Sequence, residues 1–175
     1  MDAGVHHLQG KAKSVSTELS HLIRDFYLAR LALLIRHEEV ARHVSDYDVN
    51  NAYQYVINRE EAHVSWLQHA LLDLHASIPP DPARPTVTAP AGKNGWTSLA
   101  ADDARAQRQF VESWRPRVEG ITHARHQKML TVILGEMLEQ ARIFEHGAAG
   151  RDDLIGSHLA INAREGVVAN TRWME

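Results

Sequence analysis

SIPPDPARPTVTAPAGKNG, Ser77–Gly95, holds five of the six prolines in the chain and two of its ten glycines. Each proline removes a backbone N–H and presses its ring on the preceding turn, so no helix interior or central strand accommodates the stretch. It reads as one long connection. It divides the chain into two apolar-patterned halves, and the fold follows from what lies on either side.

Upstream, from Ser16 to Val44, Leu19, Phe26, Leu33 and Val40 recur every seven residues, with Leu22, Ile23, Ala29 and Val44 between them. That spacing predicts a helix of about seven or eight turns with one side buried. Ser45, Asp46, Tyr47 and Asp48 supply turn and N-cap chemistry, since short polar side chains satisfy the free amides that open a helix. A second helix is expected from near Val49 to about Ala76. Its seam reads Tyr53, Ile57, Glu60, Val64, Leu67, Leu71, Leu74, and Glu60 is the one charged member.

Downstream, Thr97 or Ser98 can cap a third helix through Leu99, Asp103, Ala106, Phe110 and Trp114, with an irregularity expected at Pro116 and Gly120. Thr122 can cap a fourth, reaching about Ala148 with Leu130, Ile133, Met137 and Phe144 inward, closed by Gly147 and Gly150. The last 25 residues carry Leu154, Ile155, Val167, Val168 and Trp173, enough apolar surface to predict packing as a strap. The expected fold is an all-α, antiparallel four-helix bundle with one long crossover connection and a C-terminal strap. It forms a single domain over 1–175, with hairpins at about 16–76 and 97–148, a crossover at 77–96 and the strap at 149–175.

Composition narrows the function. With no cysteine, disulfides, thiolate metal sites and cysteine nucleophiles are excluded. A net charge of −3 from 19 basic and 22 acidic residues gives no footprint for nucleic acid or an anionic membrane. The N-terminus lacks an apolar leader, and no apolar run approaches the roughly 18 residues of a membrane span, so a cytoplasmic location is expected. Twelve histidines raise the prospect of a metal or acid–base site. No glycine-rich phosphate loop or nucleophile elbow is present.

Residues equally far from a turn lie level in antiparallel helices. With the second turn at Gly120, Asp103 and Glu136 come out level, and Glu136 with Glu139 shares a stripe with Met129, Val132 and Ile143. Helix lengths, crossover placement and Glu60-Glu61-Ala62-His63 together resemble the ferritin-like superfamily, in its rubrerythrin and bacterioferritin branches. Those carry a carboxylate on the first and third helices and Glu-x-x-His on the second and fourth.

That resemblance, over residues 16 to 148, implies a diiron or dimanganese centre and oxidoreductase or iron-handling chemistry. Glu60 would bridge the metals, His63 would bind one, Asp103 would be the third-helix carboxylate and Glu136 the second bridge. The chain departs from the pattern in three places. Glu139 stands where the second histidine belongs, and the third-helix carboxylate is Asp. On the first helix Asp25 and Glu38 miss the required height by about 12 and 8 Å at the helical rise per residue.

What the first helix does offer at that height is Arg30, the one polar residue between Phe26 and Ile35. A buried carboxylate needs a partner, and a guanidinium brings charge and several donors at once. Arg30 with Glu60 therefore competes with metal for the same interior. A metal-free bundle built on Arg30, Glu60, His63, Asp103 and Glu136 would be a structural or interaction module, with a homodimer as one form. A third reading comes from Thr122–Leu134, which resembles the histidine segment of DinB-like bundles. It would make His63, His123 and His126 ligands of one zinc or nickel ion.

Arg36–His43 reads as an exposed charged face with Glu38 paired to Arg42. The four tryptophans read as core or strap contacts, an exposed one being a sign of an interface.

Overall fold

The computed structural model describes residues 3–92, 94–151 and 154–155, with side chains from Thr17 onward. It contains four helices and, among the described residues, no strand: α1 Ala3–Ala41, α2 Tyr47–Asp73, α3 Trp96–Glu119 and α4 Ala124–Ala148. No described helix is long and apolar enough to cross a membrane. Most of the expected strap, 156–175, lies outside the described residues; Leu154 is buried.

Helix ends follow local chemistry, and several differ from expectation. α1 opens thirteen residues before Ser16, at Ala3, because nothing upstream of Pro79 carries a proline to stop it. Asp46 caps α2 as its side chain accepts from the Val49 amide at 3.1 Å. α2 ends at Asp73, three residues before Ala76. There His75 takes φ 56° while its amide and that of Ala76 donate to the Leu72 and Leu71 carbonyls, a left-handed closure that usually selects glycine.

Gly95, not Thr97 or Ser98, is the N-cap of α3; both hydroxyls sit in the first turn and donate back to the Asn94 and Gly95 carbonyls. A Cβ at Gly95 would collide with the Pro90 carbonyl, so the crossover can close onto α3 only through a glycine. Pro116 does not interrupt α3, which runs to Glu119. So near the helix end the proline forfeits little of the hydrogen-bond ladder. α4 is capped by His123 in place of Thr122, with no side-chain bond to the first turn.

The four helices enclose one core. Phe26 packs edge-on against Phe110 and Trp114, with ring centroids 5.1 and 4.9 Å apart, joining α1 to α3. Tyr53 meets Phe144 at 4.7 Å, joining α2 to α4. The crossover lies over α1: Arg84 reaches Glu38 at 2.7 Å and Glu39 at 2.9 Å, and Val87 and Ala89 pack on the core.

The segment Arg36–His43 is therefore not an exposed face. His37 and Val40 are fully buried, Glu38 pairs with Arg84, and Arg42 pairs with Glu39. The heptad that matters on α1 is Ile23, Arg30 and His37, all inside, and Val44, just past the helix end, is buried in line with them.

A buried polar network as the candidate functional site

Between the aromatic layers the core turns polar. Arg30, His37, Glu60, His63, Asp103, Gln107, His126 and Gln140 are all buried; hydrogen bonds join six of these eight, all but Asp103 and His126, and Asp103 comes within 3.9 Å of His37 Nε2. The centre of this network is the Glu60 carboxylate. Arg30 donates to it through Nη1 at 2.7 Å, and His37 Nδ1 lies 2.9 and 2.8 Å from its two oxygens. Gln107 Nε2 adds a donor at 3.0 Å. A carboxylate only accepts, so all three partners must donate, and His37 carries its proton on Nδ1.

The same logic orients both glutamines. Arg30 only donates, so Gln140 turns its Oε1 to Arg30 Nη2 at 2.9 Å, and that oxygen also accepts from Gln107 Nε2 at 3.2 Å. The network has one polarity, running from amide and guanidinium donors to Glu60. Four of its buried atoms have no hydrogen-bond partner among the described residues: Arg30 Nε, His37 Nε2, Gln107 Oε1 and Gln140 Nε2.

Two further layers flank this centre. Towards the N-terminal end of α2, Asp103 accepts from Tyr53 OH at 2.7 Å and from Arg36 Nε at 2.6 Å. Burial, reinforced by the Asp103 charge and hydrogen bond, drives the Tyr53 phenol far above its ordinary pKa, so it stays a donor. On the other side, Glu136 takes Arg59 through Nε and Nη2 at 3.1 and 2.6 Å, and lies 2.9 Å from His63 Nε2.

His63 faces Arg30 Nη2 with Nδ1 at 3.4 Å. Burial, and then the Arg30 charge, hold its pKa down at about 4. The ring is therefore neutral near pH 7, accepting at Nδ1 and donating from Nε2 to Glu136. Burial alone would raise Glu60, but the Arg30 charge and the hydrogen bonds from His37 and Arg30 outweigh it and hold the pKa at about 2.

The ligand set implied by the ferritin-like resemblance is not brought together. Gln107 is level with Gln140, so Asp103 and Glu136 are offset in opposite directions and stand about 12 Å apart in height. The cause is the connection itself: α3 ends at Glu119 and α4 begins only at Ala124, which moves the effective turn from Gly120 towards His123. Glu139 is mostly exposed and pairs with Arg142 at 2.9 Å.

Glu60, Asp103 and Glu136 are each paired with an arginine, Arg30, Arg36 and Arg59 in turn. His123 and His126 do approach, Nδ1 to Nδ1 at 2.9 Å, but ten residues of α4 separate His126 from the Glu136 that His63 touches. Among the described residues no three histidine, aspartate or glutamate side chains are placed to hold a metal ion. The residues present do not fit a diiron, dimanganese or tri-histidine site.

His37, Gln107 and Gln140 are the members that the spacing rules passed over. His37 follows Arg30 by seven on the Ile23 stripe, and Gln107 follows Asp103 by four. Gln140 lies between Met137 and Phe144, so periodicity alone carried the signal. The chain matches no protein-family model, no curated protein and no solved structure.

Proposed function

We propose that this protein is a metal-free member of the bundle architecture, a structural or interaction module whose centre is held by an arginine where ferritin-like proteins place metal. The observation that carries the reading is the Arg30–Glu60 contact of 2.7 Å with neither side chain exposed. A unit charge about 4 Å from a guanidinium interacts by about 4 kcal/mol at an effective dielectric near 20, and a dication would be repelled by about twice that. Metal and Arg30 cannot share the cavity.

The antiparallel arrangement belongs to the same proposal. Partners of α1 fall along α2 as α1 advances, from Tyr27 with Gln68 to Arg30 with Glu60 and His37 with Tyr53. From α2 to α4, Tyr53 with Phe144, Arg59 with Glu136 and Asp73 with Arg125 run the same way. The ferritin-like resemblance is then one of frame, without the chemistry.

Elemental analysis of untagged protein, produced with iron, manganese and zinc all supplied, tests the reading. The expected result is no stoichiometric metal and no oxo-bridged absorbance with ferrous iron and oxygen. Stoichiometric iron in the wild type, lost in Glu60→Ala, would replace this reading with the oxidoreductase one.

A further inference from the structure

The two wide sides of the bundle are finished differently. Over α1 and α3 lies the crossover, pinned by Arg84 and packed through Val87 and Ala89. Against α2 and α4 the described part of the C-terminal segment sets Leu154, beside Gly147 and Val49 at one end, and that side carries Tyr55, Trp66 and Val132 at 46%, 39% and 44% exposure. They form one face. Arg59, one turn beyond Tyr55, bonds Glu136, one turn beyond Val132, and the Trp66 ring is 5.4 Å from His63, which also meets Glu136.

Leaving a tryptophan, a tyrosine and a valine spread along one face in water forgoes the burial of large apolar side chains, the kind that anchor interfaces. The charges on the face indicate what covers it. Two ion pairs bridge the helices, Arg59 with Glu136 and Arg125 with Asp73, so each helix contributes both signs and the four charges cancel. A nucleic acid or a strongly charged peptide finds no complementary field there. A two-fold related copy meets no repulsion there, because an isologous interface sets each patch against itself and a patch whose charges are paired within the chain carries no net sign.

We infer that the α2–α4 face is a self-association surface, closed in solution by a second copy of this chain around Tyr55, Trp66 and Val132. The inference rests on the interaction-module reading and supplies its partner. Apolar anchors surround a central pair, Arg59 and Glu136, that remains bonded within each protomer. Exclusion of water strengthens that pair and leaves no charge unsatisfied.

The test uses the full chain. Light scattering across a concentration series is expected to give twice the 19.7 kDa chain mass, and the double substitution Trp66→Glu with Val132→Glu to give the monomer with unchanged helical circular dichroism. Ala32→Glu, on the crossover side, is expected to leave the dimer intact. Since the chain has no cysteine, Val132→Cys adds an independent readout: a short bismaleimide should join two copies through that single thiol, whereas Ala32→Cys should not cross-link.

A wild type monomeric at every concentration overturns the inference. So does a dimer that survives the double substitution, or one abolished by Ala32→Glu instead. Metal content is measured on the same samples, so a metal-bound dimer would defeat the metal-free reading alone, and a metal-free monomer the self-association alone.

Discussion

Arg30 and Glu60, thirty positions apart in the chain, face each other at 2.7 Å with neither side chain reached by solvent. Removing one partner of such a pair leaves a charge buried without compensation, at a cost of about 3–5 kcal/mol. Arg30→Ala is expected to lose that much in urea unfolding. Arg30→Met combined with Glu60→Met should lose far less than the sum of the singles. Additive losses would mean that the two residues are not energetically coupled.

Acid should unfold the protein in two stages. His63 is held at about 4 against an ordinary 6.5, so as pH falls below 6.5 the unfolded chain takes up a proton that the folded ring refuses. The stability tied to the neutral ring drains from about pH 6.5 and is gone near pH 4. Glu60 is held at about 2 against 4.5, so its contribution is complete above 4.5 and is lost as pH falls towards 2. His63→Gln offers an oxygen to Arg30 and an amide to Glu136 without titrating. Its melting temperature should slope less than the wild type's between pH 6.5 and 4, the remainder belonging to His126, which burial also holds below its ordinary value, and an unchanged slope would assign that stage to another histidine.

Tyr53→Phe keeps the ring against Phe144 and deletes one of the two donors that reach Asp103. A buried acceptor left short of a partner costs about 1–3 kcal/mol. The Tyr53 phenol is raised by burial first and Asp103 second. It should therefore be absent from the phenolate absorbance of the folded protein in alkali and appear only on unfolding. The variant should show the same folded-state amplitude as the wild type.

Two backbone positions carry residues that their conformation does not favour. Gly135 lies inside α4 with nothing within 4 Å of a Cβ placed there, and His75 holds φ 56°. Gly135→Ala should gain about 0.5–1 kcal/mol from reduced freedom of the unfolded chain, and His75→Gly about 1 kcal/mol from released strain. Thermal melts of the two variants check this directly. A loss on Gly135→Ala would mean that another backbone approaches α4 at that point.

The four-helix, all-α character was legible because proline clustering and seven-residue apolar spacing are both coarse signals that tertiary packing cannot reverse. Position along the helices was harder to read. Counting from a turn at Asp46–Tyr47 put Arg30 level with His63, and the two approach to 3.4 Å. Counting from Gly120 put Asp103 level with Glu136, which it is not, because residues 120–123 form the connection and α4 begins only at Ala124. A few residues of error in a turn double when carried across to the facing helix. His37 was hidden by its charged neighbours Arg36, Glu38 and Glu39: local polarity outvoted a period that had Ile23, Arg30 and Val44 already in line.

The ownership of the donors in the polar core governs how the chain comes apart. Asp103 and Glu136 both belong to the second hairpin, yet Asp103 draws on Arg36 and Tyr53, and Glu136 on Arg59 and His63, all four from the first. Glu60, in turn, takes Gln107 from the second. If the hairpins separated, both of those carboxylates would lose every protein donor named here in one step, so a half-assembled chain carries a penalty on each face. Cooperativity is thereby written into side-chain bookkeeping. Probes on α1 and α4 should lose structure at the same denaturant concentration, and the crossover would serve as a tether between two halves with no stable separate existence.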